Sequence, residues 1–373
     1  MTSADGTRPR RSPSVVVVGG DGIGPEVTAE AVAVLQAAGF PLGFVEATAG
    51  WQAWLDGGVA LPAATIDLVE AHRVCLFGAI TSHPDGVTAG ISQGREPWRS
   101  PILELRQRFG LDVSVRPARS FPGTPGRVGR RAPDGSSVEP AVDLVVVRQN
   151  TEGLYAGIEW TDPPAAVLEA LREHPRWRFG DEGLAVGVRV VTRQATERVA
   201  RAAFDLARRR GEAEVVVAEK PNVLRETSGL VVRIAAEVAG DHPGISLVSM
   251  NADAVLMEMV GRPERFGVIL TTNLLGDLLS DAAAGIIGGP GYAPSANLGS
   301  DTAVFEPVHG SAPDIAGTGA ANPIAAVLAA AMLAAHTGFD DTARAIETAV
   351  ARAIAEGLPE GTAAIGRAIR EAL

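Results

Sequence analysis

The chain reads as an α/β protein with a largely parallel or mixed sheet. Three observations predict this: short apolar, β-branched runs recur along the sequence, long helical patterns lie between them, and no internal repeat interrupts the alternation. At roughly 150 residues per domain, 373 residues allow about two domains or one large unit. Apolar residues at 46% and charged residues at 21% match a globular enzyme and not a disordered chain.

Taken in order, Val15–Val18 is a buried strand, followed by the glycine-rich turn Gly19–Gly24 and a helix from Pro25 to about Ala38, with proline at its first turn. Val74–Phe77, Leu144–Val147, Val188–Val191, Val215–Ala218 and Val268–Leu270 are further strands. Thr196–Arg210 and Gly229–Ala239 are helices between them, and Asn322-Pro323 opens an alanine-rich helix with Asn at the N-cap and Pro at the first position. His83–Arg99 and the Pro-, Gly- and Arg-rich stretch Ser120–Pro140 are long loops, the second a surface excursion of solvated charge.

Composition narrows the function. The chain carries 33 basic and 44 acidic residues, a net charge of −11, so no basic surplus exists to neutralise a nucleic acid or an anionic membrane. The polar segment 1–13 precedes only four apolar residues, far short of a signal peptide, and the longest apolar run, Ile324–Ala335, is too short to span a bilayer. A frayed tail and a cytoplasmic protein are expected. The single cysteine, Cys75, lies in the apolar run 74–77 and excludes disulfides and cysteine-rich zinc sites.

Of the 33 basic residues, only Lys220 is lysine. A chain that otherwise uses arginine keeps lysine where a positive group must be able to lose its proton, although drift in composition explains a lone residue equally well. With no other lysine, no phosphate-binding Gly-x-x-x-x-Gly-Lys motif exists.

Three constellations carry chemistry. If Gly276–Asp281 is helical, Asp277 and Asp281 are i and i+4 on one face, where two like charges repel unless a cation lies between them. Oxygen-only ligands suit Mg²⁺ or Mn²⁺ and not zinc. Arg106, Arg116 and Arg148 are forks suited to carboxylates, with Arg148 at the end of a strand. Finally, Glu306–Pro323 is dense in small residues, which lets a backbone approach a ligand closely. By contrast, Gly19–Pro25 follows a strand and opens a helix but fits no register of Gly-x-Gly-x-x-Gly, so it is not a dinucleotide fingerprint of the Rossmann type.

The segments VVVVGGDGIGPEV, LRQRFGLDVSVRP, VVRQNTEGLY, EKPN, ADAVLMEMV, TTNLLGDLLSD and EPVHGSAPDIAGTGAANP together resemble the β-decarboxylating dehydrogenases acting on isocitrate, homoisocitrate, 3-isopropylmalate or tartrate. The resemblance covers nearly the whole chain, and its motifs look most like the isocitrate and homoisocitrate branches. It implies a two-domain fold with the active site in the cleft between domains: residues 14–111 plus 289–373 as the large cofactor-binding domain and 112–288 as the small one. It implies NAD bound on a non-Rossmann site at Glu306, His309, Gly310, Ser311, Ala312, Asp314 and Asn322. It implies a homodimer in which each site borrows Lys220, Asn222 and Asp253 from the partner, and in which the three aspartates Asp253, Asp277 and Asp281 hold Mg²⁺ or Mn²⁺.

By the same resemblance, Lys220 is the general base, Tyr155 the acid that protonates the enolate, and Ser100, Arg106, Arg116, Arg148 and Asn222 bind the substrate. Asp314 accepts hydrogen bonds from a free ribose 2′-hydroxyl and repels a 2′-phosphate, favouring NAD over NADP. Arg99, Arg95 and Ser100 favour an anionic 3-substituent: homoisocitrate, isocitrate or an analogue such as a phosphono-substituted malate. Ile102 departs from the asparagine usual in isocitrate enzymes and resembles some homoisocitrate enzymes. The alternatives are a 3-isopropylmalate or tartrate dehydrogenase, a non-catalytic regulatory subunit, which ought to lack these residues, and a pyridoxal-phosphate enzyme, which gives the Asp pair no role.

Overall fold

Apolar β-branched runs pair in parallel where helices cover both sheet faces. The computed structural model describes residues 14–81, 98–131, 134–180 and 182–373, so the expected tail and most of the 83–99 loop, Arg95 included, lie outside the described residues. The first part of the chain alternates β1 (Ser14–Gly20), α1 (Gly24–Ala37), β2 (Gly43–Ala47), α2 (Trp51–Gly57), α3 (Ala63–His72), β3 (Val74–Ala79), α4 (Pro101–Arg108) and β4 (Val113–Arg119). The stretch 120–140 contributes only the two-residue strands β5 (Arg130–Arg131) and β6 (Ser137–Val138), closed by Arg127 bonding the carbonyls of Phe121 and Pro140.

The middle of the chain runs β7 (Asp143–Gln149), β8 (Glu159–Thr161), α5 (Ala165–Glu173), β9 (Ala185–Gly187), α6 (Arg193–Arg210), β10 (Glu214–Glu219), α7 (Thr227–Ala239), β11 (Ser246–Asn251), α8 (Ala252–Gly261), β12 (Val268–Thr271) and α9 (Asn273–Ile286). It closes with β13 (Pro294–Leu298), β14 (Ala303–Pro307), α10 (Ile324–His336), α11 (Asp340–Glu356) and α12 (Thr362–Glu371).

One ten-stranded sheet, ordered β11-β10-β12-β7-β4-β13-β14-β3-β1-β2, passes through the molecule. Two parallel blocks flank its centre, and β7–β4, β4–β13 and β13–β14 are antiparallel. Three successive reversals leave the two blocks running in opposite directions. One apolar cluster lies between α6, α7 and the β7–β12–β10 strands, around Phe204 and Ile234. Another packs α1 against α10, whose small side chains are buried on all sides.

Most expected elements form within a few residues of their sequence limits. Val188–Val191 does not: Val190 forms an isolated bridge to Gly153, and Val188 N–H donates to Ile158 O at 2.8 Å without a strand forming. The reason is Arg189, which leaves the apolar run to reach the buried carboxylate of Glu219 at 3.0 Å. The alanine-rich helix begins at Ile324, one residue later than expected, and Asn322 Oδ1 accepts the Ile324 N–H at 3.0 Å. Trp51, Trp54 and Trp98 form an aromatic cluster with ring centroids 4.8–6.0 Å apart beside the entry to α4. Among the described residues no helix is long and apolar enough to cross a membrane.

Candidate active site

Residues 273–286 are helical, so Asp277 and Asp281 do share a face. Arg148, at the end of β7 and fully buried, places Nη1 2.5 Å from Asp277 Oδ1, while its Nε and Nη2 bond Asn273 Oδ1 one helical turn earlier. Arg116, from the middle of β4, bonds Asp277 Oδ1 at 3.1 Å and Ser280 Oγ at 2.9 Å, and lies 3.5 Å from Asp281. The Tyr155 hydroxyl donates to Asp277 Oδ2 at 2.5 Å. This packing needs glycine at 276, because a Cβ there would stand 2.6 Å from Arg148 Cγ.

Electrostatics follow from this crowding. Burial alone raises the Asp277 carboxyl, but Arg148, the Tyr155 hydrogen bond, Arg116 and Arg106 outweigh it, and the net is below the usual carboxylate range. Asp281 goes the other way: burial raises it, Arg116 opposes, and Asp277 adds to the rise. Burial and then Arg116 pull the Arg148 guanidinium down to about 10, against Asp277. Burial, then the hydrogen bond and charge of Asp277, raise the Tyr155 phenol, which therefore holds its proton at neutral pH.

A cavity of about 150 Å³ adjoins this cluster, and Ser100, Ile102, Arg106, Arg116, Glu306, His309 and Gly310 line it. Of the residues expected from the sequence, Ser100, Arg106 and Arg116 thus share one cavity with Glu306, His309 and Gly310, whereas Arg148, Asn222, Ser311, Ala312, Asp314 and Asn322 do not line it. Arg106 Nη2 bonds Glu306 Oε1 at 2.9 Å, and Asn297 bonds the same oxygen at 2.7 Å. Three polar atoms here are buried with no partner among the described residues: Arg106 Nε, Arg116 Nε and His309 Nε2. Burial pulls the His309 imidazole below its usual value, which keeps it neutral. Buried unpaired polar atoms are costly, so two arginine donors and the His309 Nε2 acceptor concentrated at a cavity are built to be completed by a ligand.

The glycine-rich turn after β1 has a different task. Ile23 N donates to Ser311 O at 2.9 Å, and a Cβ on Gly22 would stand 2.0 Å from that oxygen. The Asp21 carboxylate accepts the backbone N–H groups of Trp51, Gln52 and Thr81. Thr81 Oγ1 donates to Ser311 Oγ at 2.8 Å. This turn seats the 306–322 loop through Ser311. Within that loop Ala312 holds a left-handed φ of 38°, a strained conformation for a non-glycine residue. Asp314 is exposed and Asn322 sits at the foot of α10.

Lys220, just beyond β10, bonds Asp253 Oδ1 at 2.5 Å, and this hydrogen bond holds the Asp253 carboxyl low. Asn222 is exposed two residues on. Among the described residues of one chain no three metal-ligating side chains form a group, so Asp253 does not join Asp277 and Asp281 within a single subunit. The two carboxylates of α9 offer the oxygen donors a hard dication needs and repel each other without one. They fit half of a metal site.

Sequence reasoning missed Asn273, Ser280 and Asn297, which orient the arginines and Glu306, because their partners lie far away along the chain.

Residues 14–370 match the isocitrate/isopropylmalate dehydrogenase family. An isocitrate/homoisocitrate dehydrogenase of Thermus thermophilus is 43% identical over 90% of this chain and 89% of its own length. A 3-isopropylmalate dehydrogenase of Archaeoglobus fulgidus is 40% identical over 92% of each chain. The crystal structure of isocitrate dehydrogenase from Methylococcus capsulatus superposes with a TM-score of 0.83 at 40% identity, covering 96% of this chain and 98% of that one. With this fold, this cavity and these motifs in order, the chain belongs to the isocitrate/isopropylmalate dehydrogenase family.

Proposed function

We propose that the protein is a cytoplasmic, homodimeric, NAD- and divalent-metal-dependent dehydrogenase that oxidatively decarboxylates a 3-substituted malate with an anionic 3-substituent. Homoisocitrate, isocitrate or a close analogue such as a phosphono-substituted malate is the substrate class. The observation that carries this reading is the cavity with two unpaired arginine Nε–H groups and an unpaired His309 Nε2. Arginine binds carboxylates in bidentate fashion, and Arg106 and Arg116 keep unpaired N–H donors, Nε–H among them.

The chain's own residues divide the work. Arg106, Arg116 and Arg148 hold the substrate carboxylates, and Lys220 takes the proton of the 2-hydroxyl. Tyr155, protonated at neutral pH, gives its proton to the enolate carbon left by CO₂ loss. A dication held by Asp277, Asp281 and the partner subunit's Asp253 would acidify the hydroxyl and polarise the oxo group that replaces it. NAD lying along 306–322 would accept the hydride, with Asp314 selecting the free 2′-hydroxyl over a phosphate.

The shared-site dimer has physical support. Val223, Leu224, Leu256, Met257, Val260 and Leu278 are exposed, up to 67% at Met257, on the segments that carry Lys220, Asp253 and Asp281. An apolar surface of this kind next to half a metal site fits a second copy of the same chain.

The substrate follows from the wall near the start of α4. Ser100 and the exposed Arg99 suit an anionic substituent, while Ile102 on the same cavity favours 3-isopropylmalate as a second reading. One experiment decides: NAD⁺ and NADP⁺ reduction with Mg²⁺ against a panel of 3-substituted malates, read as kcat/KM with CO₂ release. Turnover with an anionic substrate, lost in EDTA and restored by Mn²⁺, is expected. Preference for isopropylmalate or for NADP⁺ would overturn the corresponding assignment, and no decarboxylation with any member would overturn the whole reading.

A further inference from the structure

Glu219 is the last residue of β10 and is wholly buried, yet it touches neither the cavity nor the apolar dimer surface. Its carboxylate is saturated. Oε2 accepts Arg189 Nη2 at 3.0 Å and Ser228 Oγ at 2.5 Å, and Oε1 accepts the N–H of Thr272 at 3.1 Å and its hydroxyl at 2.5 Å. Arg189 also donates to the hydroxyls of Thr227, Ser228 and Thr272. Thr272 is the N-cap of α9, and Thr227 and Ser228 open α7. The carboxylate therefore faces the positive ends of two helices at once.

A buried carboxylate with a single cationic partner contributes little net stability against its desolvation, so its presence asks for another reason. Its place in the chain supplies one. Glu219 immediately precedes Lys220, and the helix it caps carries Asn273, which grips Arg148, and then Asp277 and Asp281. We infer that the Arg189–Glu219–Thr272 cluster is a positioning device that fixes the end of the strand bearing Lys220 relative to the helix bearing Asp277 and Asp281. The inference rests on the proposed dehydrogenase reading. In a shared-site dimer these two elements serve different sites, so Glu219 ties together the halves that one subunit gives to each. Glu219 is a positioning residue, not a catalytic one.

The test uses the full-length protein. Glu219→Gln keeps the shape but sets an amide N–H₂ against donors and leaves Arg189 without a counterion. Thr272→Val removes only the hydroxyl. Glu219→Asp keeps the charge. The readouts are Mn²⁺ affinity by electron paramagnetic resonance without substrate, kcat, the KM for NAD and the melting temperature.

Glu219→Gln is expected to weaken Mn²⁺ binding by about 10–100-fold, the usual size for outer-shell partners, with kcat falling at least about tenfold. The KM for NAD stays within about twofold, since the 306–322 loop makes no bond to the cluster. Thr272→Val moves the same two quantities by less, and Glu219→Asp recovers part of the loss. If Glu219→Gln does not fold, Thr272→Val decides. Unchanged Mn²⁺ affinity and kcat with only a lower melting temperature would reduce the cluster to a structural role. A parent protein that neither binds Mn²⁺ nor turns over would instead defeat the dehydrogenase reading and this inference with it.

Discussion

The Tyr155 hydroxyl donates to Asp277 Oδ2 at 2.5 Å, while Oδ1 of the same carboxylate takes Arg148 and Arg116. One side chain thus holds a phenol and two guanidinium groups in fixed relation. Burial and this hydrogen bond raise the phenol, so Tyr155 stays protonated, while Arg148, the same hydrogen bond and Arg116 outweigh burial at the carboxyl, so Asp277 stays ionised.

Replacing Tyr155 with phenylalanine should leave Arg148 and Arg116 on Asp277 and remove only the proposed proton donor. We expect kcat to fall about 10²–10⁴-fold with the substrate KM within a few-fold, in steady-state assays of the reactive 3-substituted malate. A kcat near that of the parent would release Tyr155 from this role.

In the proposed shared-site dimer, the pairing of Lys220 with Asp253, apart from Asp277 and Asp281, has a direct genetic consequence. Lys220→Arg and Asp277→Asn should each be inactive by at least about two orders of magnitude. Mixed dimers formed by co-refolding should regain about a quarter of parent activity, because half of the dimers are hybrids with one intact site. Persistent inactivity of the mixture, with both chains shown to associate, would place the lysine and the aspartates in the same subunit's site.

Gly276 has no room for a side chain against Arg148. Gly276→Ala should destabilise the fold by about 1–3 kcal/mol, as overpacking does, and raise the substrate KM more than it lowers kcat. Denaturant unfolding with parallel kinetics measures both, and an alanine that costs neither would contradict the packing.

Acid sensitivity has an identifiable contributor at His336, whose ring lies 5.4 Å from that of Phe305. Burial pulls its imidazole below the ordinary 6.5. The unfolded chain therefore takes up a proton near 6.5 that the folded chain refuses, and stability falls as pH drops through that value. In His336→Leu the decline of melting temperature from pH 7 to about pH 5 should be shallower. An unchanged slope would assign the sensitivity to other groups.

Residue type and short spacing made much of this legible in the sequence. The i and i+4 aspartates, the arginine at a strand end and the small-residue loop each signal their chemistry within a few positions. What stayed hidden depends on partners brought together only by folding. Asn273 meets Arg148 across 125 residues and Ser280 meets Arg116 across 164. The same cause defeated the strand expected at Val188–Val191, where Arg189 answers to Glu219 thirty residues later. Asp253 looks like a third ligand in the sequence, yet one folded chain keeps it with Lys220.

The tryptophan cluster carries a practical dividend. Three of the five indoles, Trp51, Trp54 and Trp98, lie close enough to exchange excitation, and Trp98 stands two residues ahead of Ser100. Emission from this cluster should therefore report on the segment that leads into the cavity lined by Ser100 and Ile102. Any compound that shifts this segment announces itself in unlabelled protein, whether or not it is turned over.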